Sequence, residues 1–181
     1  MTRSIAFLRA INVGGHIVKM DFLRTLFESL GFSNVETFIA SGNVLFETNS
    51  RSISALEARI EMELREALGY EVATFIRTEA ELKAVAVYQA FSRSQLEAAI
   101  AFNVAFLKEP PDAAMQRKVM GWKTDIDDFA IHGRELYWLC KKRQSQSTFS
   151  NAVLERALGK PSTIRGLETV RKIVARFSMP D

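Results

Sequence analysis

The sequence predicts an α+β chain of two tandem βαββαβ halves, each with one additional helix. Three observations predict it. Strand-like apolar runs and helical apolar stripes follow one another in nearly the same order twice. Capping patterns and glycine stops punctuate the helices. A polar break around Ser92 and Ser94 separates the two series. The repeat is one of element order; no residue-level repeat is visible.

Taken in order, residues 4–11 are apolar on both sides, with Ile5, Phe7 and Arg9 on one face and Ala6, Leu8 and Ala10 on the other. That suits a strand covered on both faces. After the loop Asn12–Lys19, Leu23, Leu26, Phe27 and Leu30 fall at helical spacing, and Gly31-Phe32 marks the stop. Val35, Phe38 and Ile39 suggest a second strand, Ser41-Gly42-Asn43 a turn, and Val44-Leu45-Phe46 a third strand. Ser54 and Glu57 fit a capping box for a helix with Leu56, Ile60, Leu64 and Leu68 inward, ended by Gly69-Tyr70. Val72, Phe75 and Ile76 read as a fourth strand, and Thr78-Glu79-Ala80-Glu81 opens a helix to about Tyr88.

In the second half, Ile100, Phe102, Val104 and Phe106 alternate strictly. Pro110-Pro111-Asp112 starts a helix to about Met120. Phe129-Ala130-Ile131 and Leu136-Tyr137-Trp138-Leu139 flank a hairpin turn. Val153, Leu154, Ala157 and Leu158 mark a helix ending at Gly159, followed by a short strand at Thr163-Ile164 and a last helix with Val170, Ile173, Val174 and Phe177. This order predicts two ferredoxin-like subdomains, residues 1–89 and 99–181, with 90–98 as the joint.

The composition narrows the function classes. Of 181 residues, 48% are hydrophobic and 25% charged, as in ordinary globular chains. No apolar run approaches the roughly 20 residues that span a bilayer. The N-terminus shows neither a long apolar region nor a cleavage site, so a mature, cytoplasmic protein without membrane contact is expected. One cysteine, Cys140, and two histidines, His16 and His132, speak against a disulfide and a structural zinc site. No metal or cofactor follows from any motif. Residues 1–90 hold nine Lys/Arg against eleven Asp/Glu; residues 91–181 hold fifteen against ten. From Arg134 to Arg176 ten basic residues face three acidic ones, which permits a phosphate-bearing partner or a solvated basic surface.

The chemistry-bearing residues gather in two segments, Arg9-Ala10-Ile11-Asn12-Val13-Gly14-Gly15-His16 and Ser41-Gly42-Asn43. Antiparallel pairing of the first and third strands brings them to one end of one sheet. Gly14 and Gly15 can form a backbone nest for an anion, helped by Arg9, Lys19 and the N-terminus of the following helix. They can equally serve as a bend that needs positive φ. Asn12 and Asn43 can orient a ligand or tie the two loops together. Arg9 needs an anionic or carbonyl partner, for which Glu47 or a ligand phosphate is available. His16 can act as general acid or base, with Ser41 as a nucleophile beside it. Cys140 lies in an apolar strand as a core residue whose pKa Lys141 and Lys142 can lower, and Asp125, Asp127 and Asp128 form an acidic cluster, either a hard-cation site or, as expected, a loop surface.

Ile11 to His16 followed by Lys19-Met20, then Leu30-Gly31-Phe32, then Ser41-Gly42-Asn43-Val44 with Phe46, resembles the opening of DUF family 1697, a bacterial family of unknown function. Asn103 to Leu107, Thr163 with Arg165, and Thr169-Val170 extend the resemblance over nearly the whole chain. It implies a two-part α+β fold with ferredoxin-like halves and implies no activity. The chain departs from the family pattern where Gly166-Leu167 replaces an Asn-Trp pair after Arg165, and where Thr148, not lysine, follows Ser147.

Three functions are consistent with these residues. The first is binding of a phosphate-containing ligand or nucleic acid through Arg9, Asn12, Gly14, Gly15, His16, Lys19, Ser41, Asn43 and Arg165. The second is a small-molecule enzyme of unassigned class using Asn12, His16, Ser41 and Asn43. The third is an interaction module without catalysis.

Overall fold

The computed structural model describes residues 1–12 and 15–177. The chain divides into two compact units, Met1–Lys83 with the C-terminal residues from Ile173, and Ala84–Lys172. Each holds a four-stranded antiparallel sheet. Among the described residues there are seven α-helices, and none is long and apolar enough to cross a membrane.

In the N-terminal unit the order is β1 (Thr2–Leu8), α1 (Met20–Ser29), β2 (Ser33–Thr37), β3 (Asn43–Thr48), α2 (Ile53–Leu68) and β4 (Thr74–Thr78), followed by α3 (Glu79–Val87), which runs across the boundary at Lys83. The sheet order is β2-β3-β1-β4, so the expected β1–β3 pairing is present, with Phe7 opposite Asn43. One face presents Ala6, Leu8, Val44, Phe46 and Ile76 to Leu23, Leu26 and Phe27 of α1 and Leu56, Ile60 and Leu64 of α2. On the other face Ile5, Phe7, Phe75 and Arg77 are buried too. A strand covered on both faces is what the unbroken apolar run of β1 requires.

Several local signals act as read. Thr78 Oγ1 accepts the Glu81 N–H at 3.2 Å while Glu81 Oε2 accepts the Thr78 N–H at 2.8 Å, closing the capping box of α3. The start of α2 differs. Its cap is Ser52, whose hydroxyl accepts the Ala55 N–H. Glu57, expected to complete a box with Ser54, is buried and accepts the Ile76 N–H of β4 at 2.8 Å. A carboxylate that reaches a neighbouring strand's free N–H satisfies a buried donor, which outweighs a second cap on an already capped helix. The second strand also begins two residues earlier than the apolar residues suggest and ends before Phe38.

The C-terminal unit runs α4 (Arg93–Glu97), β5 (Ala101–Phe106), α5 (Ala113–Met120), β6 (Asp127–His132), β7 (Glu135–Cys140), α6 (Asn151–Leu158), β8 (Thr163–Gly166) and the start of α7 (Leu167–Phe177), whose residues from Ile173 belong to the first unit, with sheet order β6-β7-β5-β8. The helix α4 stands where a polar break was expected. Its cause is a capping box between Ser92 and Gln95 that the sequence contains. Asp112 caps α5 by accepting the Met115 N–H at 2.7 Å. The core joins Ala105, Leu107, Leu136, Trp138 and Cys140 of the sheet to Met115, Val119, Phe149 and Leu154.

The two units correspond in the register of their central strands although their sequences do not align by eye. Leu8 donates its N–H to the Gly42 carbonyl at 2.8 Å, and Leu107 donates to Arg134 at 3.0 Å. Phe7 lies opposite Asn43, and Phe106 opposite Glu135. Ile5 lies opposite Arg77, and Val104 opposite Arg165. The repeat is conserved in register because register is set by turn geometry and by which face is buried, not by residue identity.

The acidic cluster divides: Asp125 is exposed in the loop before β6, Asp128 is half-buried, and Asp127 leaves the surface. Asp127 opens β6 and is buried; its Oδ1 accepts the Trp138 indole N–H at 2.8 Å and its Oδ2 accepts the Ser147 hydroxyl at 2.9 Å. Among the described residues no group of acidic, His or Cys side chains is arranged to hold a metal ion. Cys140 is the core residue that its apolar strand predicts, and its flanking lysines do not lower its pKa. It is buried, donates its S–H to the Lys142 carbonyl at 3.0 Å, and desolvation pushes its thiol pKa up, not down. We therefore expect native protein to react with a thiol reagent only at the rate at which this unit opens. A fast stoichiometric reaction under native conditions contradicts this. The same shift keeps the thiol's contribution to stability intact below about pH 8.5, the unfolded value, and removes it as pH rises further.

Candidate functional site

The connections at one end of the N-terminal sheet hold the predicted residues. β1 ends at Leu8, and Arg9, half-buried, donates its backbone N–H to the Ala73 carbonyl at 2.8 Å. Glu47 is not its counter-ion. In the antiparallel register Glu47 lies opposite Arg3 at the far end of the strand, and the two form an ion pair at 3.2 Å.

Asn12 is a loop tie. Its Nδ2 donates to the Ala40 carbonyl at 3.0 Å, and its Oδ1 accepts the Val18 N–H at 2.6 Å. One carboxamide thus joins the connection after β1 to the connection before β3. Asn43 is fully buried; its Nδ2 donates to the Phe38 carbonyl at 2.9 Å and to the Ser41 hydroxyl at 2.8 Å. The two asparagines therefore sit at one end of the sheet, linked through residues 38–41, as the strand pairing required.

The backbone here is strained. Ala10 and Ile39 adopt φ of 54° and 51°. The left-handed region is unfavourable for any residue with a Cβ and most of all for a β-branched one. Ile39 is also half exposed to solvent. Strain of about 1–3 kcal/mol per residue persists only where the surrounding contacts over-determine it, and the Asn12 and Asn43 ties on either side of Ile39 are such contacts. Gly15, at φ 89°, supplies the positive-φ bend expected before α1. Gly14 lies outside the described residues.

His16 is exposed, and its ring stacks on Tyr70 with centroids 4.0 Å apart. The Tyr70 hydroxyl donates to the Ile11 carbonyl at 3.3 Å, and burial pushes its pKa up. Tyr70 thus props this loop at its start, Ile11, and at His16. Lys19, exposed, is the N-cap residue of α1 and makes no side-chain capping bond. The first N–H groups of that helix therefore lack a side-chain acceptor at the cap. Sequence reasoning missed Tyr70 in this role, having read it only as the apolar residue after a helix stop.

The family model for "Protein of unknown function (DUF1697)" matches residues 1–137. The chain belongs to the DUF1697 family. The match spans all of the loop cluster from Arg9 to Asn43 and stops before Arg165. Among solved structures, the chain is similar to a conserved bacterial protein, SP0830 from Streptococcus pneumoniae, with 21% identity, 99% of each chain covered and a TM-score of 0.81. That likeness concerns the fold. A search of the curated proteins finds no match.

In this DUF1697 chain the C-terminal motif residues are held by the unit's own backbone and side chains. Arg165 on β8 is half-buried and donates to Thr163 Oγ1 at 2.8 Å and to the Ile164 carbonyl at 2.9 Å. Burial lowers its pKa to about 10, so the guanidinium stays charged at neutral pH. Ser147 donates to Asp127 and accepts the Phe149 N–H at 2.9 Å, which sets Phe149 against Trp138. Arg77, the positional counterpart of Arg165, is buried on β4 and donates to the Ile76 carbonyl at 2.8 Å. No sequence signal distinguished it from a surface arginine.

Proposed function

We propose that the protein binds a small phosphate-bearing ligand at the loop end of its N-terminal sheet. One observation carries this reading. Arg9, His16 and Lys19 all lie on the segment that leads from β1 into α1, and α1 begins without a side-chain cap. Uncapped N–H groups and the helix dipole favour an anion there, and the three side chains add basic groups. The ties made by Asn12 and Asn43 and the ring stack of His16 on Tyr70 hold the segment in shape, which lowers the ordering cost of binding.

A nucleic acid is the less favoured ligand. The basic C-terminal stretch that suggested it uses several cations internally: Arg165 on its own strand, Arg171 with Glu168 at 3.5 Å, and Arg176 with Glu36 at 2.8 Å. The enzyme reading has less support than binding, because Asn12 and Asn43 direct their amides to the backbone and Ser41 accepts from Asn43. An interaction module has no observation of its own in its favour. We read each half as ferredoxin-like, supported by the βαββαβ order and the central β1 and β5, and divide them at the joint 90–98. We assign the cytoplasm, since lone Cys140 has no partner for an intramolecular disulfide.

The test is titration with inorganic phosphate, mononucleotides and single-stranded RNA at several salt concentrations. Mononucleotide binding at low salt that weakens with salt is expected, and Lys19→Ala and Arg9→Ala each weaken it and flatten its salt dependence. Absence of binding at low salt removes the proposal. Tight binding confined to RNA replaces it with the nucleic-acid reading.

A further inference from the structure

We propose that the C-terminal unit carries a second binding site, a pocket for a small amphipathic anion with an apolar body and one carboxylate. The cavity lies between the connection from β5 to α5, the exposed side of α5, and the end of α6. It encloses about 590 Å³, within the range of small-molecule pockets.

Its lining falls into two chemically distinct zones. Leu107, Met115, Leu158 and the prolines Pro110, Pro111 and Pro161 form apolar walls. Leu107 and Met115 are core residues of this unit, so the floor is fixed by packing. The three prolines lack an N–H and have a restricted φ, so these walls are stiff and add little polar backbone to desolvate. Lys108, Lys118 and Lys160 line the same cavity with Glu109 and Asp112.

The charges in this set are unequally available. Asp112 uses its carboxylate to cap α5. Glu109 is paired with Lys160 at 2.7 Å, and that lysine holds its carboxyl below the ordinary range. Both partners of this pair are well exposed, and solvent screens such pairs so that they hold weakly. An entering carboxylate can therefore take Lys160 from Glu109 at little cost. Asp112 keeps its charge in the cap, so the lining carries three lysines against two carboxylates and is net positive, with Glu109 exchangeable. An anionic head at the lysines and an apolar body on the proline, leucine and methionine walls satisfy both zones at once.

The position supports a site. The connection after β5 corresponds in register to the connection after β1, where the phosphate reading places its ligand, because Leu8 and Leu107 make equivalent bonds. The two ends differ in chemistry: an uncapped helix start with basic residues in the first half, and a capped helix with an apolar cavity in the second. The repeat therefore presents two different ligand preferences at equivalent places.

The experiment is an amide-resolved NMR titration of the full chain with octanoate, and in parallel with octylammonium and octanol. Octanoate is expected to shift amides within residues 107–118 and 157–160, and octylammonium to leave them unmoved. Lys118→Glu, at an exposed position, weakens octanoate binding about fivefold. Ala114→Trp, also exposed and on the cavity wall, abolishes it by filling the space. Shifts confined to other residues, no shift at millimolar octanoate, or equal binding of octylammonium or octanol overturns the proposal. So does octanoate binding that Ala114→Trp leaves unchanged in a variant whose remaining spectrum is native. Should Ala114→Trp fail to fold, the Lys118→Glu affinity decides, and an unchanged value overturns the proposal.

Discussion

Gly42→Ala is expected to destabilise the N-terminal unit by about 3 kcal/mol, the sum of two separable penalties. Gly42 has φ of 73°, where any Cβ is strained. That Cβ would also stand 2.6 Å from Ile11 Cγ2, 3.1 Å from Leu8 Cβ and 3.2 Å from the Leu8 carbonyl oxygen. Neither neighbour can yield freely. Ile11 is buried and its carbonyl receives the Tyr70 hydroxyl, while the Leu8 N–H bonds the Gly42 carbonyl. Relief therefore shifts the connection that carries Asn12 and the turn that precedes Asn43. Gly31→Ala is the control. Its φ is 80°, but nothing lies within 4 Å of the added Cβ, so it costs only the backbone strain of about 1–2 kcal/mol. Thermal unfolding of both variants separates the penalties, with about 2–4 °C per kcal/mol for a chain of this size. Equal losses from the two substitutions would show that the close approach at Gly42 has no energetic weight.

Asp127→Ala is expected to cost the C-terminal unit about 3 kcal/mol, through stranded donors more than lost attraction. The carboxylate accepts the Trp138 indole N–H inside the core and the Ser147 hydroxyl, with the Thr124 hydroxyl at 3.3 Å. Removing it leaves the buried indole N–H without that acceptor and frees the Ser147 hydroxyl that orients the Phe149 backbone. Phe149 packs edge-on against Trp138 and Phe129, so the aromatic cluster loosens with it. Asp127→Asn retains one carbonyl oxygen and should lose less than half as much. Denaturant unfolding followed by tryptophan fluorescence reads this directly. An alanine variant as stable as the parent, or an asparagine variant as damaged as the alanine one, contradicts the role assigned to Asp127.

Both predictions rest on contacts that no local reading of the chain contains. The signals that did read correctly span three or four residues. Thr78 with Glu81 closes a box, and Asp112 caps its helix, because an N-cap and its N–H partner lie within one turn of each other. The doubly covered β1 was readable because its run lacks polar alternation. Signals failed where a side chain had two possible partners. Ser54 and Glu57 matched a box, yet Glu57 serves β4, nineteen residues on. Arg9 and Glu47 matched an ion pair, yet antiparallel register gives Glu47 to Arg3.

The candidate site divides the same way. The pairing of β1 with β3 is enough to bring Asn12 and Asn43 together, and the bend at Gly15 follows from its position between a strand and a helix. The strain at Ala10 and Ile39, the stack of His16 on Tyr70 and the two-zone cavity beside α5 were not readable, since none has a residue pattern of its own.

The sequence by itself determined the order of the strands and of the helices other than α4, the helix ends marked by glycines, and the association of β1 with β3. These follow from backbone hydrogen-bonding and hydrophobic periodicity, which act over short stretches of chain. The tertiary structure alone decided which buried polar groups meet. Asn12 reaches Ala40 across 28 residues, Arg3 reaches Glu47 across 44, and Asp127 becomes the acceptor for Trp138 and Ser147. A buried donor or acceptor takes whichever partner the packed chain presents, and that choice exists only after the sheets and helices have closed around it.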